Sequence, residues 1–138
     1  MRIVIYHCIL LIFFVVGCEE PLSTTEDNQV VFHTSSNAYS SIDSIQVFLE
    51  NNTRNNFEIF LRCGRYLEMY YQKKEDSTWS KNLWFSWMSL KCNTAIYIIE
   101  EYKSYKFVIP SDQINAKGTY RLILTNDTLI VSNSFVIQ

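Results

Sequence analysis

Residues 44–61 read SIQVFLENNTRNNFEIFL, two short apolar runs on either side of an asparagine-rich segment. Alternate apolar positions are occupied by Ile45, Val47 and Leu49 in the first run and by Phe57, Ile59 and Leu61 in the second. Because successive side chains of a strand point to opposite faces, each run predicts a strand with one buried face. We expect the turn-forming residues Asn51 to Asn56 to join the two strands as a hairpin.

Similar runs, rich in β-branched and aromatic residues, recur on both sides of this segment and are separated by Asn, Asp, Ser and Gly. They predict further strands at residues 30–32, 67–72, 82–88, 95–99, 105–109, 119–125 and 129–137. Over residues 84–90 the apolar positions also fit helical spacing, so a short helix is an alternative there. With few glycines and no long helical period, the chain is predicted to be all-β, an antiparallel sandwich of about seven to nine strands.

The N-terminal segment differs from the rest of the chain. Met1-Arg2 provides a positive start, an apolar run follows from Ile3 to Val16, and the acidic pair Glu19-Glu20 ends it. This pattern is typical of a secretory signal peptide. A membrane-spanning helix needs about 20 predominantly apolar residues, so a permanent transmembrane anchor is the weaker interpretation.

The signal-like run ends at Val15-Val16-Gly17-Cys18, which resembles the lipobox of bacterial lipoproteins. The resemblance implies cleavage between Gly17 and Cys18 and a diacylglycerol on the Cys18 sulfur. It also implies a lipid anchor in the bacterial cell envelope, at the outer membrane, on its periplasmic or its surface side. An ordinary signal peptide with a chance cysteine is the alternative. Residues 18–29, CEEPLSTTEDNQ, are polar and acidic and predict a flexible tether, with residues 30–138 forming one domain.

The four cysteines divide according to this interpretation. Cys8 leaves with the signal peptide, Cys18 carries lipid, and Cys63 and Cys92 remain as a pair. Exported proteins meet an oxidising compartment, so a Cys63–Cys92 disulfide is expected, and two reduced, buried thiols are the alternative. We expect no metal site, because His33 would be the one histidine of the processed chain and clustered zinc-ligand spacing is missing.

A second resemblance lies at the C-terminal end. Gly118-Thr119-Tyr120, followed by the run from Ser132 to Ile137, resembles the last two strands of immunoglobulin-like domains on bacterial envelope proteins. The resemblance implies an immunoglobulin-like sandwich in which the Tyr120 hydroxyl bonds back to the preceding backbone as a tyrosine corner. The chain departs from antibody domains at Leu122, where the second sheet-bridging cysteine would fall.

No motif for catalysis is apparent. The sequence has no nucleophile elbow, P-loop or His-Glu-x-x-His segment, and adjacent Glu100 and Glu101 would point to opposite faces of a strand. We therefore expect neither catalytic residues nor a cofactor. A formal net charge of −2 disfavours nucleic acid as a partner.

The aromatic segment from Trp79 to Trp87 is the densest candidate for recognition. Exposed tryptophans stack on sugars or anchor protein partners, but we favour the interpretation that these rings fill the interior around the disulfide. Strand alternation places Phe85 and Trp87 together and Trp84 on the opposite face. If any ring is exposed, we expect Trp84 or Trp79 to contact a ligand.

Two functional hypotheses follow. The preferred one is a membrane-anchored envelope lipoprotein that acts as a non-catalytic binding or structural module for an envelope protein or glycan. The alternative is a small envelope inhibitor of a protease or lysozyme-type hydrolase. Its inhibitory loop would be Asn51 to Asn56 or the loop that carries Asp112-Gln113.

Overall fold

The computed structural model describes residues 28–138. The predicted signal peptide, the predicted lipid site at Cys18 and most of the tether lie outside the described residues. Within residues 28–138, no helix is long and apolar enough to span a membrane.

The described part of the chain consists almost entirely of strands with one short 3₁₀ helix, Ser86–Ser89. The strands are β1 (Val30–Thr34), β2 (Ala38–Tyr39), β3 (Ile45–Asn51), β4 (Phe57–Arg62), β5 (Tyr66–Leu67), β6 (Tyr70–Glu75), β7 (Thr78–Trp79), β8 (Leu83–Trp84), β9 (Thr94–Ile99), β10 (Ser104–Ile109), β11 (Gly118–Thr125), β12 (Leu129–Val131) and β13 (Phe135–Ile137). The predicted all-β class is confirmed.

The strands form three sheets. The first has the order β1-β3-β10, and the third has the order β5-β4-β9. The second, which we call the large sheet, runs β2-β13-β11-β6-β7, with β12 added on β11 and β8 on β6. Their pairings are antiparallel except for β2 with β13. The predicted antiparallel, sandwich-like arrangement is therefore observed.

The side chains of β3 and β4 alternate between buried and outward positions, as predicted. Ile45, Val47 and Leu49 are buried on β3, and Ile59 and Leu61 are buried on β4, all within one hydrophobic core. Burying a side chain of this size stabilises a fold by roughly 1.5–3 kcal/mol. Alternation alone was thus sufficient to identify the core faces of these strands.

The predicted hairpin between β3 and β4 is wrong. Strand β3 pairs with β1 and β10, whereas β4 pairs with β5 and β9, so the asparagine-rich segment crosses from one sheet to another. The buried Asn51 side chain holds this crossing: its amide nitrogen lies 2.8 Å from the Asn55 carbonyl oxygen and 3.0 Å from those of Ile99 and Glu100. Turn-forming residues are used in both arrangements, so composition did not distinguish them.

Three predicted strands are interrupted. Residues 67–72 divide between β5 and β6, and residues 129–137 divide between β12 and β13. At the second break the Ser132 hydroxyl accepts a bond from the Leu122 amide (2.9 Å), so a side chain replaces a backbone partner. Residues 82–88 form β8 and then enter the 3₁₀ helix, which confirms the short-helix alternative for part of that segment.

The C-terminal resemblance made one geometric prediction that the structure bears out. The hydroxyl of buried Tyr120 donates to the Ala116 carbonyl oxygen at 2.7 Å, as expected for a tyrosine corner. Burial raises the pKa of Tyr120, and nearby Tyr71 raises it further. The neutral hydroxyl that donates this bond is therefore favoured.

Candidate functional site: the tryptophan face of the large sheet

Two aromatic residues of the predicted segment lie in the core. Phe85 and Trp87 are buried, and their rings stack with centroids 4.3 Å apart. The Trp87 indole N–H donates to the Leu67 carbonyl oxygen at 3.0 Å, and its ring also packs edge-on against Phe107 at 5.7 Å. The interior interpretation is correct for these two residues.

Trp84 lies on the opposite face, where 63% of its surface is exposed. It pairs across β8 and β6 with Tyr70, and the two rings meet edge-to-face with centroids 4.9 Å apart. The neighbouring residue on β6, Tyr71, instead packs against Phe85 on the core side. The preferred expectation of an interior position is thus wrong for Trp84, and the prediction that it would be an exposed ring is confirmed.

Trp79, on β7, lies on the same outer face as Trp84, beside a position further along β6. It pairs with Lys74, is half-buried, and has the Arg121 guanidinium carbon 4.3 Å from its ring centroid. Arg121 also donates through Nε to the Gln72 side-chain oxygen at 2.8 Å. This cation–π contact covers one side of the ring and holds the guanidinium in place.

Polar side chains occupy the space between the two tryptophans. Gln72 donates through Nε2 to the Asn82 side-chain oxygen at 2.9 Å. Tyr70, Gln72 and Lys74 alternate along β6 and share one face. We call this surface the tryptophan face; its members are Tyr70, Gln72, Trp79, Asn82, Trp84 and Arg121. The strand partners of Trp84 and Trp79 are four residues apart on β6, a separation of roughly 13 Å.

Sequence reasoning found the two tryptophans of this face but missed its other members. Alternation within the predicted strand at residues 67–72 places Tyr70 and Gln72 on one face, but it does not bring that face beside the tryptophans. Arg121 could not have been found in this way, because it lies 49 residues from Gln72 in sequence and reaches it only through pairing of β11 with β6. The fold therefore creates the polar centre of the site.

The expected disulfide is present. Cys63 and Cys92 are bonded, with their Cα atoms 5.2 Å apart. Cys63 is exposed in the β4–β5 turn, where it has φ 56° and Gly64 has φ 66°. The ring neighbours of Trp87 are Tyr66, Phe85 and Phe107.

His33, the histidine considered for chemistry, lies on β1. Its ring stacks on Phe48 with centroids 5.4 Å apart, and Nε2 is 3.9 Å from a Glu50 carboxylate oxygen. Across residues 28–138, no three His, Cys, Asp or Glu side chains cluster in a way that could hold a metal ion. The surroundings of His33 are those of a strand side chain packed on a neighbouring ring.

Both loops considered for inhibition are held by hydrogen bonds. In the first, the Asn51 side-chain oxygen accepts bonds from the Thr53 amide (3.1 Å) and hydroxyl (2.7 Å). In the second, the Gln113 side-chain oxygen accepts bonds from the Ser86 amide (3.0 Å) and hydroxyl (2.6 Å). The Asn51 amide nitrogen also donates to the Ile99 and Glu100 carbonyl oxygens, so each loop is tied to a neighbouring element.

No protein-family model matches the chain, and no curated protein has a similar sequence. Among solved structures, a β-glucosidase from Erythrobacter marinus is similar at 7% identity and a TM-score of 0.45, over 78% of this chain and 15% of the other. A β-glucosidase from Listeria innocua, in complex with glucose, is similar at 9% identity and a TM-score of 0.37, over 79% of this chain and 16% of the other. The chain therefore spans less than a fifth of either enzyme.

Proposed function

We propose that this chain is a membrane-anchored lipoprotein of the bacterial cell envelope and that its domain is a non-catalytic module that binds a glycan on the tryptophan face. The observation that carries the proposal is that Trp84 is exposed on the same face as Trp79. Between them lie side-chain amides and a guanidinium group that hydrogen bonds hold in place. An aromatic ring covers the apolar side of a sugar, while side-chain amides and guanidinium donors bond to its hydroxyls.

The indole of Trp84 is largely exposed to water. A fully covered tryptophan buries roughly 150–250 Å², and because Trp84 is 63% exposed, much of this area stays in water and forgoes a hydrophobic gain. Tyr70 packs edge-to-face with the Trp84 ring and limits its motion. A ring restrained before binding loses little conformational entropy when a ligand stacks on it. The strand partners of the two tryptophans lie roughly 13 Å apart, a span that suits an oligosaccharide better than a single sugar.

The anchoring part of the proposal rests on Val15-Val16-Gly17-Cys18 and on the acidic segment that follows it. Two or three acyl chains, at about 0.8 kcal/mol for each buried methylene, would give durable attachment. The immunoglobulin-like assignment of the domain is likewise part of the proposal. Its support is the Tyr120 hydroxyl bond to the Ala116 carbonyl oxygen.

Glycan binding is tested by titrating envelope polysaccharide fragments into the detergent-solubilised chain while tryptophan fluorescence is recorded. We expect a shift that saturates in the wild type, is lost in Trp84→Ala, and persists in Tyr102→Ala. Tyr102 is a suitable control because its side chain is also exposed. Absence of a shift with every glycan, or an equal loss in both variants, would contradict the proposed site.

Anchoring is tested separately by the intact mass of the protein from the membrane fraction. We expect a chain that begins at Cys18 and carries acyl groups, and we expect Cys18→Ala to lack them. An unlipidated mass in the wild type would refute the anchor and leave the glycan proposal to its own titration.

A small envelope inhibitor of a protease or lysozyme-type hydrolase is the second candidate. The specific observation in its favour is the hydrogen-bonded loop from Asn51 to Asn56, because inhibitors gain affinity from loops that are rigid before binding. Assaying a broad hydrolase panel with the purified chain would test it. If no enzyme of the panel is inhibited, this candidate is rejected.

A further inference from the structure

Strand β9, Thr94–Ile99, reads TAIYII and lies at the edge of the sheet β5-β4-β9. It pairs with β4 along its whole length, and within the described residues no strand pairs with its other side. The Cys63 amide donates to the Asn93 carbonyl oxygen (3.0 Å), which shows that the backbone groups of Asn93 face β4. In the same register those of Thr94, Ile96 and Ile98 face outward.

The side chains of β9 are unusually apolar for an exposed edge. Ile96 is 61% exposed and Ile98 49% exposed on one face, and Tyr97 is 45% exposed on the other. Charged residues, proline, bulges or short length normally prevent an edge strand from pairing with other chains. Strand β9 has six residues, with neither charge nor proline among them, whereas the edges of the large sheet at β2 and β7 have two residues each.

We propose that β9 is the interface of a symmetric dimer of this chain, in which two copies of the strand pair antiparallel about Tyr97. The sequence is self-complementary in that arrangement. Ile96 of one copy lies opposite Ile98 of the other on one face, and the two Tyr97 side chains meet on the opposite face. The outward backbone groups of Ile96 and Ile98 then bond to each other across the interface. This inference goes beyond the proposed glycan binding and does not depend on it.

The charges at the two ends of β9 favour the same antiparallel arrangement. Lys91 precedes the strand and is exposed. Glu100, Glu101 and Lys103 follow the strand, so its end carries a net charge of −1. In this register Glu100 and Glu101 of one copy lie opposite Thr94 and Asn93 of the other, near its Lys91, while Lys103 lies beyond the turn that begins at Glu100. The facing strand ends therefore carry net charges of opposite sign, which favours a second copy.

The dimer is expected to be weak. One pair of six-residue strands buries less than the roughly 1,200 Å² of a standard stable interface, so association should depend on concentration. A two-fold contact also closes on itself, so it gives a dimer rather than an open chain of subunits.

The register is tested by cysteine cross-linking of the full chain in membranes of the producing cells. In the proposed pairing the Tyr97 Cα atoms are about 4.5 Å apart, within disulfide range. We therefore expect Tyr97→Cys to form a reducible dimer that the wild type does not form. Ile96→Cys is the matched control, because its symmetry mate lies diagonally, at about 7 Å or more, and should not cross-link.

Three results would overturn the proposal: no dimer with Tyr97→Cys, an equally abundant dimer with Ile96→Cys, or a cross-linked product whose mass shows a different protein. The last result would identify a strand of another partner as the occupant of this edge.

Sedimentation of the detergent-solubilised full chain over a wide concentration range provides the second measurement. We expect a monomer–dimer equilibrium that Ile96→Lys weakens by at least about tenfold, since the two-fold axis places the new charge in the interface twice. Ile42→Lys, at an exposed isoleucine outside β9, should leave the equilibrium unchanged. A wild type that is monomeric at every concentration, or equal effects of the two lysines, would refute the interface.

Discussion

Trp84 and Trp87 lie three positions apart in the chain, yet Trp84 is 63% exposed and Trp87 is 3% exposed. Trp84 ends β8 beside Tyr70 on the outside, and Trp87 lies in the 3₁₀ helix that follows, stacked on Phe85 in the core. The inward ring contributes packing and a hydrogen bond, whereas the outward ring is available to a ligand. Two residues of the same type thus differ in surroundings: Trp87 packs in the core, and Trp84 is the exposed ring to which we assign the proposed glycan binding.

The largest effect expected from this comparison is that of Trp87→Ala. Removing the ring leaves a cavity beside Phe85 and an unpaired Leu67 carbonyl oxygen, so the free energy of unfolding should fall by about 3–5 kcal/mol. Denaturant titration measures this change. A loss below about 1 kcal/mol would show that the core does not depend on the inward ring.

Removing the Cys63–Cys92 disulfide should lower the free energy of unfolding by nearly the same amount. Cys63→Ser combined with Cys92→Ser opens a loop with a sequence separation of 29 residues. The chain-entropy model predicts a loss of about 3.5 kcal/mol from the free energy of unfolding. As the matched control, wild-type protein is unfolded with and without reductant. The free energies of unfolding under the two conditions should differ by the same amount. Equal stability in both states would contradict the entropic argument.

Tyr120→Phe removes one inward hydrogen bond while keeping the ring. We expect the free energy of unfolding at neutral pH to fall by about 1 kcal/mol, because the Ala116 carbonyl oxygen loses its 2.7 Å partner. Tyr102→Phe, at an exposed tyrosine, should leave the unfolding midpoint unchanged. A neutral result for Tyr120→Phe would weaken the tyrosine corner as a stabilising feature.

The stability of the fold at alkaline pH tests the surroundings of Tyr105. Burial raises the pKa of Tyr105 above its ordinary value of 10.0, and Tyr97 raises it further. The folded state therefore retains this proton longer than the unfolded state, so the contribution is present below pH 10 and is lost as the pH rises through the folded pKa. Denaturant midpoints should decline above pH 10, and Tyr105→Phe should decline less than the wild type. Parallel curves would contradict this prediction.

Trp84→Ala should have the smallest effect on stability. It removes an exposed ring and one edge-to-face contact with Tyr70, so we expect a change of about 0.5 kcal/mol in the free energy of unfolding. The same variant should lose glycan binding. A loss comparable with that of Trp87→Ala would end the division of roles between the two rings.

Local sequence patterns were sufficient for the direction of side chains. Alternation identified Ile45, Val47 and Leu49 as a core face and placed Trp84 opposite Phe85, because the two-residue period of a strand requires no knowledge of its neighbours. The Cys63–Cys92 pair could also be expected from the cysteine count, and the Tyr120 corner was implied by the resemblance of the C-terminal run to immunoglobulin-like domains. The fold class followed from the same patterns.

Strand pairing was not accessible in this way. The segment from Asn51 to Asn56 suits a hairpin as well as a crossing between sheets, and the choice depends on β9 and β10, which are distant in sequence. Arg121 reaches Trp79 only because β11 lies beside β6. Hydrogen bonds between strands are made by the backbone, which is alike for nearly every residue, so a sequence specifies faces more directly than partners.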